Sequence, residues 1–337
     1  MKSSKNIKSF ILNNIPEHQK DIIQTTIDRF GISRQAIHKH MKRLIDEKKV
    51  VAHGTTKGRY YELIPYVNFN KYLDINQIIS VEELIKEHVE PHIQGLPKNI
   101  FQIFEFSINV LLNNILDHAN ASKLYYKIFI NHNEAHFILN DNGKGIFNNI
   151  KSKFKLPNVC FAALELAKGY VSTNPKIHSG EELNAVINLF DVAKIDSSGK
   201  SLTFTNENTD WELKPSLQKN GSRFHLKIRA SSTRTCAEIF KRIFENEKSR
   251  IRIPVGLLDI SKYKVINSRY QAKNLLRNVE NYKKIEFDFK KIDLIGPAFA
   301  EALVKDVIKF NQYADIKWVN TNNTVDLLMS RSLQRQS

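Results

Sequence analysis

The chain has 337 residues, enough for two or three domains with hydrophobic cores, and a formal net charge of +16. Its two cysteines, Cys160 and Cys236, are far apart and form neither a disulfide framework nor a metal motif, so both are interpreted as core thiols. No apolar run reaches membrane-spanning length and the polar N-terminus does not resemble a secretory signal, so the sequence predicts a cytoplasmic protein without a membrane partner.

The charge is unevenly distributed along the chain. Residues 1–61 contain 13 Lys and Arg against 5 Asp and Glu, residues 62–231 contain 18 of each, and residues 232–337 contain 20 against 12. A neutral centre between two basic ends indicates nucleic-acid contact at one or both ends. The alternative at either end is a basic surface that contacts only solvent.

Five elements are predicted in the first 63 residues, three helices followed by a hairpin. The helices are expected at residues 5–13, 17–30 and 33–48, and the strands at 50–53 and 59–63. Ser33 is a suitable N-cap for the third helix, and Gly31 separates that helix from the second. This order of elements, with the stretch FGISRQAIHKHMKRL, resembles a winged helix-turn-helix.

The resemblance implies a DNA-binding domain at residues 1–65, with the third helix in the major groove of double-stranded DNA. Amide, imidazole and cationic side chains on the outer face of this helix suit contacts to base edges and phosphates. The predicted DNA contacts, on the helix and in the hairpin, are Ser33, Arg34, Gln35, His38, Lys39, Lys42, Arg43, Lys57 and Arg59. The alternative is a winged helix that docks a protein.

Residues 66–97 are predicted to form an amphipathic helical linker. The stretch SVEELIKEHVEPHIQGLP has apolar residues at helical spacing and then breaks at Gly95 and Pro97. We expect the linker to join the DNA-binding domain to the next domain and to pack on it.

The most informative motif is a helix followed by two strands. The apolar residues at helical spacing are Phe104, Ile108, Leu111, Leu112, Ile115 and Leu116. Two strands joined by a polar turn at 131–134 follow, and the second ends in Asp141-Asn142-Gly143-Lys144-Gly145. A helix carrying Asn-Asn-x-x-Asp-His before a D-x-G-x-G hairpin resembles the nucleotide pocket of the GHKL superfamily, histidine-kinase-like ATPases that include the anti-sigma-factor kinases.

The resemblance places a GHKL domain at residues 98–231 and implies ATP or ADP with Mg²⁺ as its ligand. Asp141 would accept from the adenine amine, and Asn114 would offer a neutral oxygen to Mg²⁺. The predicted cofactor-binding residues are Asn114, Asp117, His118, Asp141, Gly143, Gly145, Lys168, Thr173, Gly180 and Ser222, with His178 and Ser179 as further candidates for phosphate contacts.

Three departures from the family pattern predict that the domain is degenerate. Val110 stands where the family usually has a general-base glutamate, and a valine cannot take a proton. The second glycine motif is Gly180-Glu181-Glu182, which puts acids where a backbone normally wraps a phosphate. The final Gly-Thr is Gly221-Ser222, which keeps a hydroxyl. We therefore expect no catalytic residue and little or no ATP hydrolysis.

The C-terminal region predicts alternating strands and helices. After a basic helix at 236–247, helices are expected at 272–281, 297–310 and 324–330, and strands at 285–289 and 316–319. The stretch KIEFDFKKIDLIGPAFAEALV resembles a STAS-type domain, here at residues 232–337. Gly296-Pro297-Ala298 lacks the serine that is phosphorylated in relatives, so we expect a protein-docking or regulatory domain.

The predicted fold class is an α+β multidomain protein: a winged helix, a GHKL α/β sandwich with a mixed sheet covered by helices on one face, and a STAS-like α/β domain. The order resembles that of bacterial regulators. The predicted function is a DNA-binding transcriptional regulator, with a homodimer as one arrangement, and with a degenerate nucleotide sensor. One alternative is an anti-sigma-type serine kinase or ATPase acting on a protein partner, and another is an interaction protein whose pocket binds nothing.

Overall fold

The structure is a computed structural model, and it describes residues 4–169, 171, 180–245, 250–258, 265–279, 282–310 and 314–335. The predicted phosphate contacts Thr173, His178 and Ser179 lie outside these ranges, and the side chain of Lys57 is also outside the description. Within them, no helix is both long enough and apolar enough to cross a bilayer.

The N-terminal unit contains three helices and a two-stranded antiparallel hairpin. Its elements are α1 (Ser4–Asn14), α2 (Ile22–Phe30), α3 (Arg34–Asp46), β1 (Val50–His53) and β2 (Tyr60–Leu63). The predicted order is confirmed, but α2 begins five residues later than expected, because Glu17 and His18 donate their N–H groups back to Asn14 and form a turn. Ile11, Ile22 and Ile37 lie in a core separate from the rest of the protein.

The central sheet has seven strands. They are β3 (Val67–Asp74), β4 (Lys123–Ile130), β5 (Glu134–Asp141), β6 (Val192–Ser197), β7 (Lys200–Thr205), β8 (Asp210–Pro215) and β9 (Ser222–Arg229), in the order β3-β4-β5-β9-β6-β7-β8. All six neighbouring pairs in the described sheet are antiparallel, so the prediction of a mixed sheet is wrong. The physical reason is that short hairpins join β4 to β5, β6 to β7 and β7 to β8.

The prediction of a helical linker at residues 66–97 is wrong for its first part. β3 pairs with β4 along its whole length, from Val67 opposite Ile130 to Asp74 opposite Lys123. Its residues alternate between half-buried and exposed, which is the period of a strand with one covered face. The second part is helical, as predicted, with α4 (Val81–His88) and α5 (Glu90–Ile93).

Helices cover one face of the sheet. They are α6 (Lys98–His118), α7 (Ile146–Lys153), α8 (Val159–Ala167) and α9 (Glu181–Leu189). Alternate residues of β4, such as Leu124, Tyr126 and Ile128, are buried in the same core as α6. The residues between them are half-buried, so the opposite face of the sheet is more accessible to solvent.

The C-terminal unit alternates strands and helices. Its elements are α10 (Cys236–Phe240), β10 (Arg250–Pro254), β11 (Val265–Ile266), α11 (Arg269–Leu275), β12 (Lys284–Asp288), β13 (Leu294–Ile295), α12 (Pro297–Phe310), β14 (Asp315–Val319) and α13 (Asn323–Gln334). β12 lies between β10 and β14 in a parallel sheet, and β11 pairs with β13, also in parallel. The predicted strands and the helices predicted at 297–310 and 324–330 are present. The helix predicted at 272–281 is found earlier, at Arg269–Leu275, and the one predicted at 236–247 continues α10 as a π-helix to Glu245, with residues 246 and 247 outside the described ranges. β10, β11 and β13 lie outside the predicted bounds.

The central and C-terminal units share one hydrophobic core. Buried residues from Val81 to Met329 form a single contiguous cluster, whereas the N-terminal unit has its own. The two larger units are therefore packed together by apolar contacts.

Candidate functional site

A small cavity of about 60 Å³ lies among α6, α7, the start of α9, the end of β5 and the start of β9. Its polar lining residues are Asn114, His118, Asp141, Asn149, Glu182 and Ser222, and Gly180 lies beside them. Its apolar lining includes Ile115, Ile146 and Phe224. The cavity is partly open to solvent, and residues 172–179, which connect its lining residues Val171 and Gly180 in the chain, lie outside the described ranges.

Five of the predicted cofactor residues come together in this cavity. They are Asn114, His118, Asp141, Gly180 and Ser222. Asp117 is exposed and Lys168 points elsewhere, so neither lines it. Among the described residues, the polar lining groups that the sequence did not predict as cofactor contacts are Asn149 and Glu182.

Asp141 is the most enclosed acid of the site, with only 2% of its surface exposed at the end of β5. Its Oδ1 accepts from the N–H of Gly143 at 2.7 Å, and its Oδ2 accepts from the N–H of Ser222 at 3.0 Å. Burial raises the pKa of Asp141, while these backbone hydrogen bonds and the Ser222 side chain act to lower it. The carboxyl group thus ties the end of β5 to the start of β9 and still has oxygen lone pairs toward the cavity.

The two glycines predicted to approach a ligand instead approach the protein's own backbone. A Cβ on Gly143 would lie 2.1 Å from the carbonyl oxygen of Ala119. A Cβ on Gly145, whose φ is +83°, would lie 2.5 Å from Ser197 Oγ. Gly221 donates its N–H to Gly143 O at 2.7 Å. These glycines allow three chain segments to cross beside the cavity.

Two asparagines on facing helices have fixed amide orientations. Asn114 Nδ2 donates to Val110 O at 2.9 Å, and Asn149 Nδ2 donates to His118 O at 2.8 Å. A carbonyl oxygen only accepts, so in each case the nitrogen of the amide is the bonded atom. Asn114, the predicted Mg²⁺ ligand, therefore keeps its oxygen for other partners.

The position of the expected general base is occupied by a buried apolar side chain. Val110 is 9% exposed and packs in the core of α6. Glu105 is exposed on another side of the helix. Burial raises the pKa of the Cys236 thiol, and the nearby charge of Glu105 raises it further. Among the described residues, no group of three or more His, Cys, Asp or Glu is arranged to hold a metal ion.

Lys168, a predicted phosphate contact, is directed toward the C-terminal unit. Its ammonium group bonds to Glu165 Oε1 at 2.7 Å and to the carbonyl oxygen of Arg277 at 2.9 Å. The Lys168 and Glu165 side chains are 3% and 2% exposed. Asn278 Nδ2 completes the contact by donating to Glu165 Oε2 at 2.9 Å. This buried ion pair joins α8 to the loop after α11.

The start of α9 brings two acids close to the cavity. Gly180, at φ +82°, precedes the helix, and Glu181 and Glu182 form its first turn. Glu182 lines the cavity, whereas Glu181 does not. Of the two acids that follow Gly180 in the glycine motif, Glu182 therefore lies at the cavity.

The predicted DNA contacts on α3 share one exposed face. Ser33 caps the helix by accepting from the N–H of Ala36, while Ile37, Met41 and Leu44 are buried beneath it. The remaining predicted contacts on this helix are all exposed: Arg34, Gln35, His38, Lys39, Lys42 and Arg43. Arg59, in the hairpin, is exposed as well and lies 5.4 Å from the ring of Tyr61.

The cations of α3 are not neutralised within the part of the chain that the structure describes. Arg34, Lys39, Lys42 and Arg43 form no ion pair with a described carboxylate. Burial, together with the charges of Arg43 and Lys8, lowers the pKa of His40 on the same helix. The face is therefore a cluster of positive charge on a rigid, capped helix.

Comparison with known proteins identifies one region of the chain. Residues 271–326, from α11 into α13, match the family model of a STAS-like domain of unknown function (DUF4325). The C-terminal unit thus contains a STAS-like domain, within the wider range predicted for it. No curated protein and no solved structure matches the chain.

Proposed function

We propose that the protein is a DNA-binding transcriptional regulator with a winged helix-turn-helix at its N-terminal end. In this proposal the central domain is a degenerate GHKL domain that senses a small ligand, and the STAS-like domain receives or transmits the signal. ATP or ADP with Mg²⁺ is the ligand that the family resemblance implies. Little or no ATP hydrolysis is expected, since Val110 is buried at the position of the general base.

The observation that carries this proposal is the exposed basic face of α3. Arg34 and Lys42 are exposed on α3, and the buried apolar residues of the same helix pack it against the core of the N-terminal unit. Cations that none of the described carboxylates neutralises attract the phosphates of DNA, and an exposed amide such as Gln35 can read a base edge.

The test is salt-dependent binding of the full chain to a mixed-sequence DNA duplex, measured by fluorescence anisotropy. Lys42→Ala should weaken binding and reduce the slope of log K against log salt by about 1, because one phosphate contact is lost. Lys86→Ala is the matched control, since Lys86 is exposed on α4 in the central unit. Equal effects of the two variants, or binding that does not respond to salt, would contradict the proposal.

A second candidate function is a kinase or ATPase of the anti-sigma type. It is favoured by the convergence of Asn114, His118 and Asp141 on one cavity. It is tested by ATP turnover in the full chain with Mg²⁺, beside an Asp141→Asn variant. Turnover that the variant abolishes would support this candidate, and turnover equal to that of the buffer would eliminate it.

A further inference from the structure

The face of the central sheet opposite the helices, here called the open face, presents every second side chain of each strand. Strand pairing aligns these side chains in rows across the sheet. One row contains Tyr72 of β3, Tyr125 of β4, Asn140 of β5 and Arg223 of β9. Lys127 and Phe129 follow Tyr125 on the same face of β4, in the next two rows.

Three aromatic rings lie on the part of the open face formed by β3 and β4. Tyr72 is 76% exposed, and its ring centroid lies 4.6 Å from that of the half-buried Tyr125. Phe129, also half-buried, contacts the ring of His136 edge-on, with 5.3 Å between the centroids. Tyr125 and Phe129 are four residues apart on one strand, which separates their Cα atoms by about 14 Å. Most of the Tyr72 ring is therefore available to a ligand, and a second ring position lies further along the same face.

The cations beside these rings are not neutralised by the described residues, whereas the acids in the middle of the face are. Lys127 and Arg223 form no ion pair with a described carboxylate, while Glu134 and Asp196 are each paired with a lysine. The other acids of this face lie at its margins: Asp74 opposite Lys123 at one end of β3, and Asp210 and Glu212 on the far edge strand β8. An anionic ligand at the middle of the face would therefore meet uncompensated positive charge next to the exposed rings.

Exposed rings interleaved with cations match the chemistry of a single-stranded nucleic acid. Its unpaired bases stack on aromatic side chains, and Lys or Arg beside them contacts the phosphates. In a duplex the bases are stacked on one another and their faces are not accessible, so rings of this kind would gain nothing from it. The open face thus differs from α3, whose exposed side chains suit phosphates and base edges.

We propose that the open face of the central sheet binds single-stranded nucleic acid. Bases stack on Tyr72, Tyr125 and Phe129, and the side chains of Lys127 and Arg223 contact the phosphates. This adds a second nucleic-acid surface to the proposed regulator, and it does not depend on α3 binding a duplex.

The test is fluorescence anisotropy of the full chain with labelled, unstructured oligonucleotides of about 12 nucleotides and one mixed sequence, made as DNA and as RNA. A chain of the same length without bases keeps the phosphates and removes stacking. We expect saturable, salt-dependent binding of at least one of the two strands, and an affinity about tenfold lower or less for the chain without bases. Equal affinity for that chain would overturn the inference, because charge alone would then explain binding. No saturable binding of either strand would also overturn it and leave the face to a protein partner.

Two exposed tyrosines provide matched variants. Tyr72→Ala should weaken single-strand binding by about fivefold or more, because one stacking contact is lost, and Tyr72→Phe should retain the affinity because the ring remains. Tyr270→Ala removes an exposed tyrosine from α11 of the C-terminal unit and should change the affinity by no more than about twofold. Arg223→Ala should reduce the slope of log K against log salt by about 0.7, since one phosphate contact of a single strand is lost.

Two outcomes with these variants would assign single-strand binding to another surface and overturn the inference. One is an equal effect of Tyr72→Ala and Tyr270→Ala, and the other is a loss of single-strand binding in Lys42→Ala but not in Tyr72→Ala. Duplex affinity measured on the same samples tests the proposed function separately, and Tyr72→Ala should leave it unchanged.

Discussion

At the scale of single residues, the glycines of the D-x-G-x-G motif have a structural role that does not depend on a ligand. Gly143 lies against Ala119 O, donates its N–H to Asp141 and accepts from Gly221. A side chain at Gly143 would separate the end of β5 from the end of α6. The motif therefore fixes the crossing of three segments whether or not the cavity is occupied.

Gly143→Ala should lower the free energy of unfolding by about 1–3 kcal/mol or more, because its methyl group would overlap main-chain atoms that cannot move independently. Chemical denaturation of the full chain measures this. Gly95→Ala is the control, since a Cβ at Gly95 would meet no atom within 4 Å. If the two variants unfold at the same denaturant concentration, the close contact at Gly143 carries no energetic weight.

The sequence predicted which residue types surround the cavity better than it predicted what each one does. Asp141, Asn114 and Ser222 were identified because a strand end and a helix face bring their side chains to one place. The orientation of Lys168 was not predictable, because its partners on the C-terminal unit are more than 100 residues away in the chain. Asn149 carries no sequence signal beyond being an amide in a polar helix.

At the scale of elements, β3 shows where periodicity was outweighed by context. Val67, Phe69 and Leu73 alternate with Asn68 and other exposed residues, which is a strand pattern, yet the helical stretch that follows extended the helix prediction over it. Pairing with β4 then makes β3 the edge of the central sheet. The long helix α6 and the β4–β5 hairpin were predictable because their patterns are long and regular.

The open face of the sheet carries a pair of histidines on adjacent strands. His136 Nδ1 on β5 and His225 Nε2 on β9 are 3.0 Å apart, so one ring donates and the other accepts. Burial and the nearby positive charges of His136, Arg223, Lys194 and Lys227 lower the pKa of His225 to about 4. Burial raises the pKa of Glu134, but bonds from His136 and Lys227 outweigh it and lower that pKa to about 2.

Acidification should destabilise the protein through His225. Its pKa of about 4 in the fold lies below the ordinary 6.5, so the unfolded chain binds more protons between these values, and stability falls as pH drops from 6.5 to 4. Denaturant midpoints measured at a series of pH values between 6.5 and 4 should show this fall in stability. His225→Gln should flatten the decline between pH 6.5 and 4.5, a window above the range in which Glu134 titrates. An unchanged decline in this variant would assign it to other groups.

At the scale of the whole molecule, the STAS-like domain is part of the central unit's core. The Lys168–Glu165 pair is buried at their boundary, and Arg277 Nη1 donates across it to Phe154 O at 2.7 Å. A buried ion pair is costly when only one partner is removed, because the other charge stays desolvated. The central and C-terminal units should therefore unfold together.

Lys168→Met should cost about 3–5 kcal/mol, since Glu165 would be left as a buried unpaired charge. In calorimetric unfolding, the transition temperature of the central and C-terminal units should fall. That of the N-terminal unit should not change, because this unit has its own core. Adding Glu165→Leu should recover part of the loss. Lys214→Met breaks an exposed pair with Glu212 and should cost less than about 1 kcal/mol. A shift of all transitions together would contradict this division.

The order of helices and strands in the N-terminal and C-terminal units was predictable from local patterns, but the packing of the units was not. Each helix and strand of the N-terminal and STAS-like regions has its own apolar period, which a single sequence reveals. The shared core of the central and C-terminal units depends on long-range contacts, such as that of Arg277 with Phe154. Such contacts leave no periodic signal in the chain.

The connection between β2 and β3 leaves little slack between the N-terminal unit, which carries the proposed DNA-contacting helix α3, and the central sheet. Residues 64–66 join the strands, and two of them are bonded at once, Ile64 N–H to Lys49 O and Tyr66 N–H to Ile130 O. Even fully extended, such a connection spans at most about 14 Å. Asn133, in the turn between β4 and β5, also donates to the carbonyl oxygen of Leu12 in α1 and so adds a second link between the two units. If two copies of the proposed regulator bind one duplex, the short connection would hold their α3 helices at a separation set by how the copies pair, and base pairs inserted between the half-sites should weaken binding.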